Sequence, residues 1–110
     1  MAELIVYLNI KIIIYTTIGS REEAKKFSKH IIENKLAGCT NISEINSMYF
    51  WEDKITDEKE FAILIKTTKE KVEELKKEIK KVHPYEIPCI IELKAEANED
   101  YFKWIKKSIS

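Results

Sequence analysis

Hydrophobic and polar positions alternate along residues 4–17, which is the pattern of a β-strand with one buried face. The apolar residues of that face are Leu4, Val6, Leu8, Ile10, Ile12 and Ile14. This segment is long for a single strand of a small domain. We therefore expect one domain over residues 1–110, in which residues 1–9 extend the first strand beyond the core.

The segment after this strand predicts an amphipathic helix with a capping box at its start. Ser20 and Glu23 have the spacing at which a serine and a glutamate satisfy the first free backbone N–H groups of a helix. Apolar residues then recur at helical spacing, at Ala24, Phe27 and Ile31. Gly38 predicts the end of the helix, because glycine readily adopts the left-handed conformation that follows a last turn.

A second capping box, Thr67 with Glu70, predicts a second helix. Apolar residues recur behind it at Val72, Leu75, Ile79 and Val82. Pro84 ends this helix, because proline restricts the residue before it and cannot continue the hydrogen-bond ladder.

Two segments rich in β-forming residues, 39–51 and 60–66, predict a hairpin that is long for so small a domain. Ile42 and Ile45 are out of phase with each other, so we expect a bulge or a twist of the strand between them. Asp53 lies in the turn between the strands, and aspartate is a residue type that tolerates a positive φ there.

A last strand is predicted over residues 87–95, followed by a short helix that Asn98 is suited to cap. The order of elements is then βαββαβ with a C-terminal helix. This order predicts an α+β, ferredoxin-like fold, in which a four-stranded antiparallel sheet carries two helices on one face.

The other face of such a sheet is left uncovered. We expect it to carry Tyr15, Met48, Phe50 and Leu64, which are too apolar to remain in water. The long hairpin also leaves strand edges unpaired. Both features favour a homo-oligomer in which subunits pack sheet against sheet.

Charge and composition narrow the class of protein. The chain has 19 basic and 19 acidic residues, so its formal net charge is zero, and a neutral chain without a basic block lacks the driving force for nucleic-acid binding. The apolar stretch of residues 4–14 is too short to span a membrane and has no basic segment before it. These features, with only two cysteines, predict a cytoplasmic protein with reduced thiols.

Lysine supplies 18 of the 19 basic residues and glutamate 16 of the 19 acidic ones. This enrichment is typical of heat-adapted, thermostable proteins. A biased genome composition gives the same counts, so both explanations stay open.

The densest group of chemically capable residues is the segment 83–89, which contains His83, Tyr85, Glu86 and Cys89. One interpretation is a metal or ligand site at a helix-to-strand turn, and the other is a rigid turn in which His83 satisfies nearby carbonyl groups. The chain has none of the paired Cys or His spacings of a tight structural zinc site.

Three further features have a functional and a structural interpretation. Cys39 is either a nucleophile partnered by His83 or a buried, inert thiol. Glu58 and Glu60 are either paired acids or solvated ion-pair partners on the hairpin. Trp51 at the hairpin tip indicates an anchor for another chain or a stacking surface for a ligand.

Several ordered motifs resemble those of the CutA family of divalent-cation tolerance proteins. The motifs are LAGCTNI at 36–42, SMYFW at 47–51, IKT at 65–67, HPYEIP at 83–88 and YFKW at 101–104. The resemblance runs from about Lys11 to Ile109. It implies a ferredoxin-like fold assembled as a tight homotrimer, a link to tolerance of metals such as copper, and no established catalytic activity.

The resemblance also implies a set of site residues. His83 is the best candidate for a copper ligand, and Cys39, Tyr85 and Glu86 lie in the same distinctive motifs. Cys89 is a further candidate ligand that comes from this chain's own residues and not from the resemblance. The family commonly has Glu where this chain has Cys89. We therefore expect a non-enzymatic protein that binds Cu or another divalent ion weakly near His83 and has no obligatory cofactor.

The alternative is a signalling module that binds a small molecule or a protein in clefts between subunits. The residues expected to line those clefts are Trp51, Tyr85, Lys66 and Glu60.

Overall fold

The computed structural model describes residues 10–110, so the predicted extension over residues 1–9 lies outside the described residues. The strands are β1 (Ile10–Ile18), β2 (Cys39–Trp51), β3 (Lys54–Thr68) and β4 (Ile91–Glu96), and the helices are α1 (Arg21–Glu33), α2 (Val72–Val82) and α3 (Glu99–Ser108). The strand order is β2-β3-β1-β4, and all neighbours are antiparallel. This confirms the predicted α+β fold with its C-terminal helix.

The core lies between the sheet and the pair of helices α1 and α2. Alternate residues of β1 and β3 point to this side, and the isoleucine side chains buried there are those of Ile12, Ile14, Ile18, Ile63 and Ile65. They pack against apolar residues of the helices, namely Phe27, Ile31, Leu75 and Ile79. The period of two in the strands and of 3.6 in the helices, which the sequence shows, therefore defines the same core.

The start of α1 has the predicted cap. The Ser20 hydroxyl oxygen accepts a 3.1 Å hydrogen bond from the Glu23 backbone N–H and donates one of 3.1 Å to the Glu23 carboxylate. The predicted role of Gly38 is wrong, because the left-handed residue after α1 is Lys35, with φ of 59°. A Cβ at Gly38 would lie 2.8 Å from Ile105 Cδ1 and 3.2 Å from Ile105 Cα, so this glycine allows close approach of α3.

The second predicted capping box is wrong. β3 continues to Thr68, which pairs with Lys11 of β1, and α2 begins at Val72 without a side-chain cap. The Thr67 hydroxyl instead donates a 2.7 Å hydrogen bond to the Leu36 carbonyl oxygen in the interior. Pairing with β1 therefore holds this segment as a strand where the local spacing predicts a helix start.

The hairpin of β2 and β3 pairs without interruption from Cys39 opposite Lys66 to Trp51 opposite Lys54. The predicted bulge between Ile42 and Ile45 is therefore wrong, and these two residues lie on opposite faces of one regular strand. Positive φ angles of 50° at Glu52 and 64° at Asp53 form the tight turn, as expected for Asp53.

β4 begins later than predicted. The predicted strand starts at residue 87, whereas pairing with β1 begins at Ile91, opposite Tyr15. Pro88 has no backbone N–H to donate to a ladder, which suits the irregular segment before β4. Asn98 occupies the position before α3, but its side chain makes no capping hydrogen bond.

The sheet face opposite α1 and α2 is only partly as predicted. Tyr15 and Leu64 lie there as a pair. Met48 and Phe50 are an even number of residues from the core-facing Ile42 on β2, so they share its face and lie on the helix side of the sheet. Their predicted place on the opposite face is therefore wrong. Helix α3 also meets this face, since Tyr101 contacts two of its lysines.

Candidate functional site

A groove of about 740 Å³ lies between the hairpin and the segment that connects α2 to β4. Its lining residues are Thr17, Tyr49, Trp51, Thr56, Glu58, Glu60, Tyr85, Glu86, Ile87 and Cys89. Strand β3 contributes Thr56, Glu58 and Glu60 to it, and β2 contributes Tyr49 and Trp51 from the same face of the sheet. The groove therefore combines aromatic and acidic side chains, and its lining contains no Lys, Arg or His.

A buried carboxylate lies at the inner end of the groove. Glu60 is only 7% exposed, and the Tyr85 hydroxyl donates a 2.8 Å hydrogen bond to its Oε2. Burial, together with this bond and the negative charge of Glu60, raises the pKa of Tyr85 well above its usual range. Tyr85 therefore stays a protonated donor and orients Glu60.

A similar pair stands nearer the hairpin tip. The Tyr49 hydroxyl donates a 2.6 Å hydrogen bond to Glu58 Oε1. This bond is the main cause of a raised pKa for Tyr49. Glu58 and Glu60 are two residues apart on β3 and point to the same side, so the groove presents two carboxylates that are each held by a phenol.

His83 lies behind the groove and not in its lining. Its side chain is largely buried, with Nε2 2.8 Å from the Thr17 carbonyl oxygen. Because a carbonyl oxygen only accepts, Nε2 carries the proton, and Nδ1 accepts a 3.0 Å hydrogen bond from the Tyr85 backbone N–H. Both ring nitrogens are thus occupied in a neutral imidazole.

This arrangement bears on the expectation that His83 is a metal ligand. A metal ion needs a nitrogen lone pair, and here it would have to displace the hydrogen bond with Thr17 or the one with Tyr85. The His83 ring also packs edge-on against Tyr85, with 4.8 Å between ring centres. In this geometry His83 positions Tyr85, which in turn holds Glu60.

The predicted metal ligands fall into two places. Glu86 and Cys89 line the groove. Burial and the charge of Glu60 raise the pKa of the Cys89 thiol. Cys39 instead lies opposite Lys66, which is six residues from Glu60 on β3 and hence about 20 Å away along the strand. The two cysteines are therefore not brought together.

The predicted cleft residues are divided in the same way. Trp51, Tyr85 and Glu60 line the groove together, whereas Lys66 lies at the far end of β3 against Tyr101. Tyr49, Thr17 and Thr56 also line the groove, and none of them is among the site residues predicted from the sequence. The alternation of Glu58 and Glu60 opposite alternate β2 residues is the signal that could have indicated Tyr49.

Within residues 10–110, no group of three or more His, Cys, Asp and Glu side chains is arranged to hold a metal ion. Three glutamates and one thiol line the groove, and these are donor types that divalent metals accept. The donors suit a metal in chemical type, but within the described residues no three of them form a group that could hold one ion in this conformation. None of the helices in the described part of the chain is long and apolar enough to cross a membrane.

The element order and the antiparallel sheet define a small α+β protein of ferredoxin-like topology. Residues 12–108 match the family model described as CutA1 divalent ion tolerance protein. The chain belongs to this CutA family.

Individual relatives agree with this assignment. The chain is 42% identical over 95 residues to the divalent-cation tolerance protein CutA of Pyrococcus horikoshii, covering 86% of this chain and 93% of that protein. It is 39% identical over 99 residues to the Thermotoga maritima protein of the same name, covering 89% and 98%. The crystal structure of the CutA1 divalent ion tolerance protein from Ehrlichia chaffeensis has a TM-score of 0.88 at 38% identity, covering 93% of this chain and 96% of that one.

Proposed function

We propose that this protein supports tolerance of divalent cations by binding them weakly and reversibly in the groove, without catalysing a reaction. The observation that carries the proposal is the acidic lining: Glu58, Glu60 and Glu86 share the groove with no basic side chain. Such a surface attracts cations. The names of the relatives, which describe tolerance of divalent cations, support the same conclusion.

The proposed ligands are carboxylate oxygens of Glu58, Glu60 and Glu86, with the Cys89 sulfur as a fourth donor. Each phenol occupies one oxygen of its glutamate, which leaves further lone pairs for a metal. A sulfur ligand favours copper or zinc over magnesium. Because the pKa of Cys89 is raised, binding through sulfur must release a proton, which keeps the affinity low near neutral pH.

His83 has a supporting role in this proposal. The site lies near His83, whose ring holds the Tyr85 backbone and thereby places the Tyr85 hydroxyl on Glu60. Cys39 is not part of the set, since its position opposite Lys66 is remote from the groove.

We propose a homotrimer as the working assembly, as the family resemblance implies. Ile91 and Leu93 support this, because they lie on the sheet face opposite α1 and α2 and are each 48% exposed. Leu64 and Tyr15 extend the same apolar surface. Burying such a surface against other subunits is favourable.

We also propose a cytoplasmic location, where both free cysteines stay reduced.

The test is calorimetric titration of Cu²⁺ and Zn²⁺ into the wild type, Glu58→Gln/Glu60→Gln, and the control Glu22→Gln/Glu96→Gln, whose residues are exposed and outside the groove. The control removes the same charge from the chain. We expect the groove variant to lose at least tenfold in affinity, while the control matches the wild type. Equal binding by all three proteins would remove the groove as the site.

A second measurement separates His83 from the carboxylates. In ¹⁵N spectra of the histidine ring, His83 should remain the Nε2-protonated form when Zn²⁺ is added. A spectrum that shows a metal-bound ring nitrogen would contradict the carboxylate site.

The second candidate function is a small-molecule binding module. The groove volume of about 740 Å³ is within the usual range for ligand sites, and Trp51, Tyr49 and Tyr85 offer aromatic surface. A thermal-shift screen discriminates, because a metabolite and not a metal would then raise the melting temperature. The gain should disappear in Trp51→Ala and persist in the exposed control Trp104→Ala.

A further inference from the structure

Two lysines meet one tyrosine at the end of the sheet away from the groove. The Lys11 Nζ lies 3.3 Å from the centre of the Tyr101 ring, and the Lys66 Nζ donates a 3.3 Å hydrogen bond to the Tyr101 hydroxyl. Lys66 pairs with Ile13, so the two lysines are diagonal neighbours on adjacent strands of one face. We call Lys11, Lys66 and Tyr101 the lysine cluster.

The positive charge of this cluster has no counterion in residues 10–110. Lys11 is only 4% exposed, and no carboxylate of the described residues lies within ion-pair distance of it or of Lys66. Burial of an ammonium group is unfavourable unless an opposite charge or several acceptors compensate for it. The Tyr101 ring compensates only in part through its π-electrons.

The lowered pKa of Lys11 also indicates that its positive charge is poorly compensated. Burial lowers the pKa of Lys11 and the positive charge of Lys66 lowers it further, while the thiol of Cys39, which lies opposite Lys66, offsets part of this shift. A group of like charges that repel each other at a largely buried position is stabilised when an anion enters between them.

We infer that the lysine cluster binds an anionic oxygen group, a carboxylate or a phosphate-type oxyanion, that bridges the two ammonium groups. The two ammonium groups supply charge-assisted hydrogen bonds to such a group. The anion comes either from solution or from an acidic side chain of a second copy packed on the exposed Leu93 and Ile91. The site lies about 20 Å from Glu60 along β3, so it does not depend on the proposed function of the groove.

The test compares the wild type with Lys66→Met, which keeps the apolar stem and removes the charge, and with Lys25→Met on the exposed side of α1 as the control. Melting temperatures are measured in chloride and in inorganic phosphate or acetate at equal ionic strength. We expect phosphate or acetate to raise the melting temperature of the wild type and of Lys25→Met, and to leave Lys66→Met unchanged.

The second source is tested by sedimentation velocity on the same three proteins. If the anion belongs to a second copy, Lys66→Met associates more weakly than Lys25→Met, and added phosphate weakens the association of the wild type. A result in which neither the melting temperature nor the association depends on Lys66 would overturn the inference.

A third measurement observes the cluster directly in the wild type and is combined with the sedimentation result. In ¹H–¹⁵N spectra of the wild type, titration with phosphate should shift the resonances of Lys11, Lys66 and Tyr101 saturably and leave those of Lys25 in place. The exception is a site that a second copy already fills, which the sedimentation experiment detects. Unchanged resonances at the lysine cluster, together with an association that does not depend on Lys66, would also overturn the inference.

Discussion

The hydroxyl of Tyr85 donates a 2.8 Å hydrogen bond to the carboxylate of Glu60, which is almost fully removed from solvent. This relationship joins two distant parts of the chain, the middle of β3 and the segment after α2. It also explains the place of His83, whose Nδ1 accepts a hydrogen bond from the Tyr85 backbone. The groove is thus held by a chain of contacts from His83 through Tyr85 to Glu60.

Substitution Tyr85→Phe should destabilise the protein by about 1 to 3 kcal/mol, because it leaves a buried carboxylate without its donor. Tyr49→Phe is the matched control, since it removes a phenol from the exposed Glu58, and we expect a smaller loss. Urea denaturation at one fixed protein concentration measures both free energies of unfolding. Equal losses for the two variants would show that the burial of Glu60 does not strengthen its bond.

Gly38→Ala should destabilise the protein by about 1 to 3 kcal/mol, because the added Cβ would lie 2.8 Å from Ile105 Cδ1 and 3.2 Å from Ile105 Cα. Gly19→Ala is the control. Its Cβ would have its closest contact at 3.4 Å, with the Tyr85 hydroxyl, and neither glycine has a positive φ. Thermal unfolding should therefore show a clear loss for Gly38→Ala and little change for Gly19→Ala, and the reverse order would refute the close approach of α3.

The hairpin turn offers a stabilising change. Glu52 and Asp53 both have positive φ, which suits Asn-Gly better than Glu-Asp. The double substitution Glu52→Asn/Asp53→Gly should raise the free energy of unfolding by about 1 to 2 kcal/mol. Chemical denaturation checks this value. A neutral or destabilising result would mean that the side chains of Glu52 and Asp53 contribute more than their backbone strain costs.

The Cys89 thiol should react slowly with iodoacetamide near neutral pH. Burial and the charge of Glu60 raise its pKa, so at a given pH a smaller fraction of it is thiolate than in a free thiol. The rate is measured against pH in Cys39→Ser, which leaves one cysteine. Glu60→Gln in the same background should move the rate profile to lower pH, and an unchanged profile would exclude Glu60 as a cause.

The same shift has a consequence for stability. The folded state holds the Cys89 proton more tightly than the unfolded state does, because the pKa is raised on folding. The resulting stabilisation is present below the ordinary thiol pKa and is lost as the pH rises through the folded-state value.

The parts of the fold that local sequence determines could be predicted. The order of elements, the Ser20 cap and the positive φ of Asp53 all depend on neighbours in the chain, and each agrees with the structure. Thr67 shows where this fails. Its spacing to Glu70 predicts a helix start, but pairing with β1 and the bond to the Leu36 carbonyl are contacts between distant segments.

Some residues of the candidate site could be predicted from the sequence, and their contacts could not. Trp51, Tyr85 and Glu60 line the groove of one chain, whereas their predicted place in a cleft between subunits stays a prediction. Lys66 is close to Glu60 in sequence, yet the extended strand places it about 20 Å away. The use of both His83 nitrogens depends on Thr17 and on the turn at Tyr85, and no motif in the sequence records these partners.

The most direct test of the groove as a divalent-cation site is a crystal structure grown with Zn²⁺ or Cu²⁺ and measured at the absorption edge of the metal. The expected result is an anomalous peak within ligand distance of the Glu58, Glu60 or Glu86 oxygens, with the bond between His83 and Thr17 intact. A peak on a His83 ring nitrogen, with no peak at these carboxylates, would contradict it.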